Sequence, residues 1–316
     1  MKTCILVLSL IFFSSCSSMK KLAISNSVGV LEEGEKALNN EASYAFIKES
    51  ALANIKTLEA LHYASPEDEE LISLLIKGYA GYSFAVLETE AFSDILLERS
   101  ESEKIQLLKA GYTKAINFGI KYFELNGIKR KDLLSKNGMK LIEENISSPN
   151  SSDLKAMFFF AQALAGIFNL EKQNMYLLGS TPLVVGLMEN VCGLKPNFEN
   201  GACDLFQAVF EATKPAIMGG DIEKANKLFK NAFEKSPKNL LNSVTYMQYS
   251  LIPMMEEDEA YKVLKDLDKK FVDFDRQNNF GELIKKESSF PKELNLYNAI
   301  AKERFEKIKK LKKQLF

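Results

Sequence analysis

At 316 residues the chain is long enough for one large domain or two small ones. Its 41 lysines and arginines balance 42 aspartates and glutamates, so no strong overall field draws it to nucleic acid. A single histidine excludes a multi-histidine metal site, and no HExxH, GxxxxGK, GxSxG or paired CxxC pattern brings catalytic or phosphate-cradling chemistry with it.

Lys2 gives the N-terminus a positive charge, and Cys4 to Phe13 follows as an apolar run interrupted only by Ser9. Ser14, Ser15 and Cys16 come next. A charged start, a short apolar core and small residues before a cut site describe a secretory signal over residues 1–15. The run is too short to span a bilayer, which takes about 20 apolar residues. Cysteine at the cut site resembles the lipobox of bacterial lipoproteins, in which the thiol of Cys16 carries a diacylglyceryl group. Phe13 departs from that pattern, where leucine is usual, and an ordinary cleaved signal with a chance cysteine is the alternative. Each buried acyl CH₂ contributes about 0.8 kcal/mol, so the lipid would anchor the chain to a membrane. Residues 16–30, small and polar near their start, read as a lipidated flexible tether. The expected location is the periplasm. Ser17, rather than an aspartate, follows Cys16, which favours the outer membrane.

Beyond the tether the periodicity is helical nearly throughout. From Ala42 to Leu61, apolar Phe46, Ala53, Leu58 and Leu61 share one stripe. His62 beside Tyr63 ends this helix and reads as a surface or capping residue. Pro66, followed by Glu67, Asp68 and Glu69, opens the next helix. That helix runs through Leu71, Leu74, Leu75, Tyr79, Tyr82 and Phe84 past Phe92. Another covers Glu103 to Leu125 and ends at Asn126-Gly127. Ser147 to Ser152 is a polar break, after which Asp153 caps a helix through Phe168. Phe158, Phe159 and Phe160 are consecutive on it and fan across about 200° of the helix. Either the helix is central and all three are core, or one of them faces a subunit or an apolar ligand. No later apolar run reads as long and clean enough to cross a membrane. Cys192 and Cys203 either remain buried thiols or pair across Gly193 to Ala202; closing such a loop would contribute about 3 kcal/mol.

Ala225, Phe229, Ala232 and Pro237 fall at the spacing of the second helix of a TPR unit, with Gly220-Asp221 as the turn before it. Leu58, Leu61 and Pro66 repeat the last three of these positions. Leu75 and Tyr79 then stand where the next first helix places Leu and Tyr. Ala260, Leu264 and Leu267 echo the pattern. The first helix of the best unit departs from it, with Val209, Ala212, Thr213 and Ala216 at the signature positions and Pro215 inside the helix. The chain therefore reads as all-α, a degenerate TPR-like helix–turn–helix solenoid in a single compact domain over residues 31–270. Residues 271–316 form a C-terminal helical extension with a basic tail. Lys302 to Lys313 in that tail read as a solvated helix face or a contact with anionic lipid or an acidic partner.

Two segments carry a family likeness: ELISLLIKGYAGYSFAVLE, Glu70 to Glu88, and PAIMGGDIEKANKLFKNAFEKSPKNLLNSVTYMQY, Pro215 to Tyr249. Both resemble recurring segments of the T component of TRAP transporters, the P-x₃-GGD-x₂-KA core being the more specific. The likeness extends from Glu41 to Asp268 and leaves the tail after Phe271 outside. It implies a periplasmic lipoprotein with cryptic TPR helices, associated with the substrate-binding P protein of a TRAP system. It also implies a homotrimer and an apolar cleft handling an apolar small molecule, with no catalytic residue and no cofactor. A TPR lipoprotein that scaffolds envelope assembly, without a transport role, is the alternative.

Cys16→Ser is expected to release the protein from membranes or to leave the signal uncut. Labelled fatty acid should appear in the wild type and not in the variant; a cleaved variant that still fractionates with membranes contradicts the anchor.

Overall fold

The computed structural model of the protein describes residues 27–31, 33–174, 177, 179–214 and 219–316. Cys16, the signal, most of the tether, and Pro215 and Ala216 lie outside the described residues. The principal helices are α1 (Tyr44–Ala64), α2 (Glu69–Tyr82), α3 (Glu88–Leu96), α4 (Glu103–Leu125), α5 (Gly138–Asn145) and α6 (Ser151–Leu170). They continue with α7 (Thr181–Leu194), α8 (Ala202–Thr213), α9 (Ile222–Lys235), α10 (Leu240–Tyr246), α11 (Glu257–Phe274) and α12 (Asn295–Leu315). Residues 27–31 and 33–39 are helical as well. The chain is all-α, with no strand among the described residues.

The central element is α2. Asp68 caps it by accepting the Leu71 N–H at 3.0 Å, and Glu69 and Glu70 fill its positive first turn. Pro66 sits before this cap as an exposed turn residue. Leu71, Ile72, Leu74, Leu75, Ile76, Tyr79 and Ala80 are all buried, so α2 is apolar around most of its circumference, with Ser73 and Lys77 on the remaining strip. Such a helix needs neighbours on most sides, and α1, α4 and α6 supply them. A π-helical turn, Ser83–Leu87, carries it without a break into α3. The run Glu69–Leu96 is thus long and apolar enough to cross a membrane by length and composition alone, contrary to the expectation from sequence. Inside the fold it instead joins two hydrophobic cores. Ile72, Leu75, Ile76, Leu87 and Ala91 belong to one, with α4, α6 and α7. Ala85, Val86 and Phe92 belong to the other, with α8 to α12.

The stripe expected on α1 is displaced by a quarter turn. Ile47 and Ile55 are buried and Leu58 and Leu61 half-buried, whereas Phe46 and Ala53 face solvent. Gly78 of α2 decides the register: a Cβ there would meet Ile55 Cγ1 at 3.1 Å, so the missing side chain is what seats Ile55. Asn150, not Asp153, is the N-cap of α6. Asp153 occupies the third helical position, and the two side chains form a reciprocal capping box. Asp153 also accepts a hydrogen bond from the buried Tyr122 hydroxyl at 2.6 Å, which ties α6 to α4.

The expectation of a helix running through Pro215 is corrected at Thr213, where α8 ends, with Lys214 after it in extended geometry. The residue before a proline avoids helical geometry, and that ends the helix. Gly219, with φ of 81°, turns the chain, and half-buried Gly220 leads to Asp221, which caps α9 by accepting the Lys224 N–H at 2.9 Å. Ala225, Phe229 and Ala232 are buried in α9, which packs along α8. Exposed Pro237 follows the helix end. Ala260, Leu264 and Leu267 are buried in α11. The basic C-terminal stretch lies on α12, which packs on α10 and α3 and buries Arg304, Phe305, Ile308 and Leu315. Lys309 pairs with Asp268 of α11 at 2.7 Å, and Lys312 lies 3.6 Å over the Tyr261 ring.

Ala225 has no exposed surface. Ala225→Leu is expected to overpack this contact and cost about 1–3 kcal/mol, read as a lower Tm in thermal unfolding. An unchanged Tm would place Ala225 away from any close helix contact.

Candidate functional site

Helices α1, α2, α6, α8, α10 and α12 do not close completely on one another. They surround a cavity of about 520 Å³. Ligand pockets typically fall between about 300 and 1,000 Å³. Its apolar wall includes Ile47, Leu58, Leu74, Val86, Phe158, Phe159, Leu205, Phe206, Val209, Leu241 and Ile300. Residues 31–39 contribute Leu31, Glu35 and Leu38 to its rim.

Two π-helical turns shape the space. In addition to Ser83–Leu87, the segment Met247–Leu251 is π-helical, and both project side chains into the cavity: Phe84, Ala85 and Val86 from the first, Tyr249 from the second. A π turn adds a residue to one turn of helix and re-aims the side chains beyond it; such turns recur at functional sites.

Glycine and aromatic residues set the remaining wall. Phe160 points away from the cavity onto Gly119 and Phe123, its ring centroid 5.4 Å from that of Phe123. A Cβ at position 119 would meet Phe160 Cδ2 at 2.2 Å, so glycine is required at this crossing. Phe158 and Phe159, also buried, face the cavity. From the same helix Gln162, Ala165, Gly166 and Asn169 continue the stripe, at the four-and-three spacing of one helical face.

The charges on the wall are matched internally. Arg304 donates to Glu88 Oε1 at 2.9 Å, Thr89 Oγ1 at 3.0 Å and the Phe84 carbonyl at 2.6 Å. The Tyr112 hydroxyl donates to the other Glu88 oxygen at 2.7 Å. Burial, reinforced by Glu88, raises the Tyr112 pKa well above the ordinary value, so the hydroxyl stays protonated and donating. Lys77 pairs with Glu199 Oε1 at 2.6 Å and Glu35 Oε2 at 2.9 Å. Burial works against the Lys77 charge, but Glu199 and Glu35 outweigh it and hold its pKa above the usual lysine value. Glu199 is presented by the loop between α7 and α8, where Cys192 and Cys203 are joined as a disulfide with Cα atoms 5.7 Å apart.

Several residues singled out from sequence lie elsewhere. Leu75 is core, Leu61 packs beside Val28, and Tyr79 bonds Glu59 and Lys56 on the opposite side of α2. Ala225, Phe229 and Ala232 support α8 from behind. His62 contacts Lys121 Nζ at 3.0 Å and the edge of Phe118; partial burial and Lys121 lower its pKa. No group of three or more His, Cys, Asp or Glu side chains arranged to hold a metal ion occurs among the described residues. Sequence reasoning missed Lys77, Glu88, Gln162, Asn169 and Arg304. Their signal was polarity at positions where an otherwise apolar or lysine-rich helix had no need of it.

Residues 40–316 match the family model for the TRAP transporter T-component. The chain belongs to this family. The T-component match takes in the C-terminal segment, which the likeness of the two sequence segments left outside. The chain is also similar to a protein of Treponema pallidum (strain Nichols) described as uncharacterized, at 22% identity over 267 residues, 77% of this chain and 81% of that protein. A TRAP transporter accessory component is not an enzyme family. Within this T component, each of those two segments runs into one of the two π turns, Glu70 to Glu88 into the first and Pro215 to Tyr249 into the second.

Arg304→Met leaves Glu88 buried without its cation and is expected to cost about 3–5 kcal/mol in denaturant unfolding. Adding Glu88→Gln, which keeps an acceptor for Tyr112, should recover a large part of that loss. A single variant as stable as wild type would show that the pair contributes nothing.

Proposed function

We propose that this T component is a periplasmic lipoprotein, anchored through Cys16, that docks the solute-binding protein of its TRAP system and holds an apolar small molecule in the central cavity. The observation that carries this reading is an apolar-walled space of about 520 Å³ at the centre of a T-component fold. Its size is that of a ligand site, and its aromatic and aliphatic wall gains free energy from removing apolar ligand surface from water. Anchoring to the membrane raises the effective concentration of the protein toward other envelope components, which favours docking of a soluble partner. Stacked helix pairs of the TPR type, which the spacing of Ala225, Phe229 and Ala232 resembles, suit recognition of a folded protein.

The test is capture of the wild-type protein from native envelopes after mild cross-linking, with mass spectrometry of captured proteins and of solvent-extracted small molecules. A TRAP solute-binding protein and an apolar compound are the expected recoveries. Envelope-assembly proteins alone, with neither a transporter component nor an apolar compound, would overturn the reading.

A further inference from the structure

The chemistry of the cavity wall narrows the ligand class further, resting on the reading of the cavity as a ligand site. Among the described wall residues the ionisable carboxylates are Glu35, Glu88 and Glu199, and the cations are Lys77 and Arg304. Three negative groups therefore stand against two positive ones. Both cations are already committed, Lys77 to two carboxylates and Arg304 to Glu88, Thr89 and the Phe84 carbonyl. An incoming carboxylate finds no free cation and lies near charges of its own sign. An incoming ammonium finds carboxylates that are each engaged, Glu199 also by the Tyr297 hydroxyl at 3.2 Å. Either ion loses its hydration on entry without a free countercharge to repay the loss.

Neutral hydrogen-bonding capacity, by contrast, is left over. Gln162 Oε1, Asn169 Oδ1 and Asn239 Oδ1 are buried, border the cavity and have no hydrogen-bond partner. Asn239 is 7% exposed, so little solvent reaches it. Buried amides of native proteins are almost always bonded, and one left open beside a cavity wants a group from its occupant. Gln162 and Asn169 stand about two helical turns apart on the cavity face of α6, with the Phe158 and Phe159 rings beyond Gln162. The helix thus offers an aromatic seat at one end and open amides along the rest. The open atoms are oxygens, which accept from a hydroxyl or an amide N–H, while Asn169 Nδ2 already donates to the Tyr249 hydroxyl at 3.0 Å. A carboxylate brings them no donor, and an ammonium that meets one neutral acceptor at a time does not recover its hydration.

We propose that the cavity selects amphiphiles with an apolar body and an uncharged hydroxyl or amide head, and discriminates against long-chain carboxylates and amines. The charged clusters are fittings of the wall rather than recognition groups, and the amides of α6 together with Asn239 read the head.

Four probes of one chain length test this on the purified full-length protein stripped of co-purifying lipid: decan-1-ol, decanamide, decanoate and decylammonium, titrated calorimetrically at pH 7.5. The alcohol and the amide are expected to bind at least about tenfold more tightly than either ion, the size of effect that an uncompensated buried charge produces. Gln162→Leu should weaken the alcohol and the amide while leaving Tm and the ion affinities near wild type. Ala51→Trp, at a half-buried wall position, should abolish binding of every probe. Decanoate or decylammonium binding as tightly as decanol overturns the head-group inference and leaves the apolar-ligand reading standing. Decanol affinity unchanged in both Gln162→Leu and Asn239→Leu, each still folded, also overturns it. Failure of all four probes, or binding indifferent to Ala51→Trp, overturns the ligand reading itself.

Discussion

The buried ion pair between Arg304 and Glu88 sets the register of the whole assembly. Its partners stand 216 positions apart, and the guanidinium lies between the Phe84 and Phe92 rings, 4.6 and 5.3 Å from their centroids. An unpaired charge in such a place is prohibitive, so α12 can dock against α3 in one position only. The π turn takes part in this. The Glu88 N–H bonds to the Ser83 carbonyl, five residues back, so Phe84 loses the donor it would have in an α-helix and its carbonyl accepts from Arg304. Planar guanidinium, with donors in several directions, satisfies carboxylate, hydroxyl and carbonyl together; lysine could not. The C-terminal helix is thereby a wall of the cavity and a member of the second core.

A cavity at the centre of a helical fold is costly, since close packing is the rule and a void forfeits contacts around its lining. Among the described residues each charged group on its wall has an ion-pair partner within that wall, so the cavity adds no unpaired buried charge to that cost. The loop that presents Glu199 shows the constraint. Glu199 and Asn200 have φ of 46° and 55°, the left-handed region that side chains disfavour, and Gly201 follows at 86°. Non-glycine residues hold such a conformation when their surroundings fix it. Here the Cys192–Cys203 bond closes the segment that carries the loop, while Lys77 and Tyr297 hold Glu199.

The helices were largely legible in the sequence and the cavity was not. Glu103–Leu125 begins at a serine cap and ends at a left-handed glycine, both local signals, and its bounds follow from them. Ala225, Phe229 and Ala232 are buried as their spacing requires, because i, i+4 and i+7 share a face whatever lies opposite. The inward stripe of α1 was misread because more than one of its faces carries apolar residues, and the choice belongs to Gly78, 23 positions beyond Ile55. The Glu88–Arg304 pair was invisible because its members are 216 positions apart. Arg304 is nonetheless the one arginine in a lysine-rich helix, and Glu88 interrupts an apolar run. Three consecutive phenylalanines left open whether their helix is central or shows one of them to a second surface; which packs on Gly119 and which line the cavity depended on the partner helices.

On the proposed reading of the cavity as a ligand site, internal pairing of the wall bears on how a carrier can work. A site whose charges needed a ligand for neutralisation would be strained when empty, and the empty protein would be destabilised or would retain its cargo. Here Arg304 pairs with Glu88, and Lys77 with Glu35 and Glu199, from within the fold. What an occupant adds is apolar contact and a few neutral hydrogen bonds. Binding of that kind stabilises the folded state through mass action and is lost on dilution or on transfer to a partner of similar apolarity. The two cores meet along Glu69–Leu96, and the cavity borders both through α2 and the first π turn. An occupant therefore touches both halves of the fold at once without being needed to join them, since the ion pair and the continuous helix already do so. A protein that receives an apolar compound and hands it on must be stable in both states, and this separation of structural charges from ligand contacts is a physical means to that end.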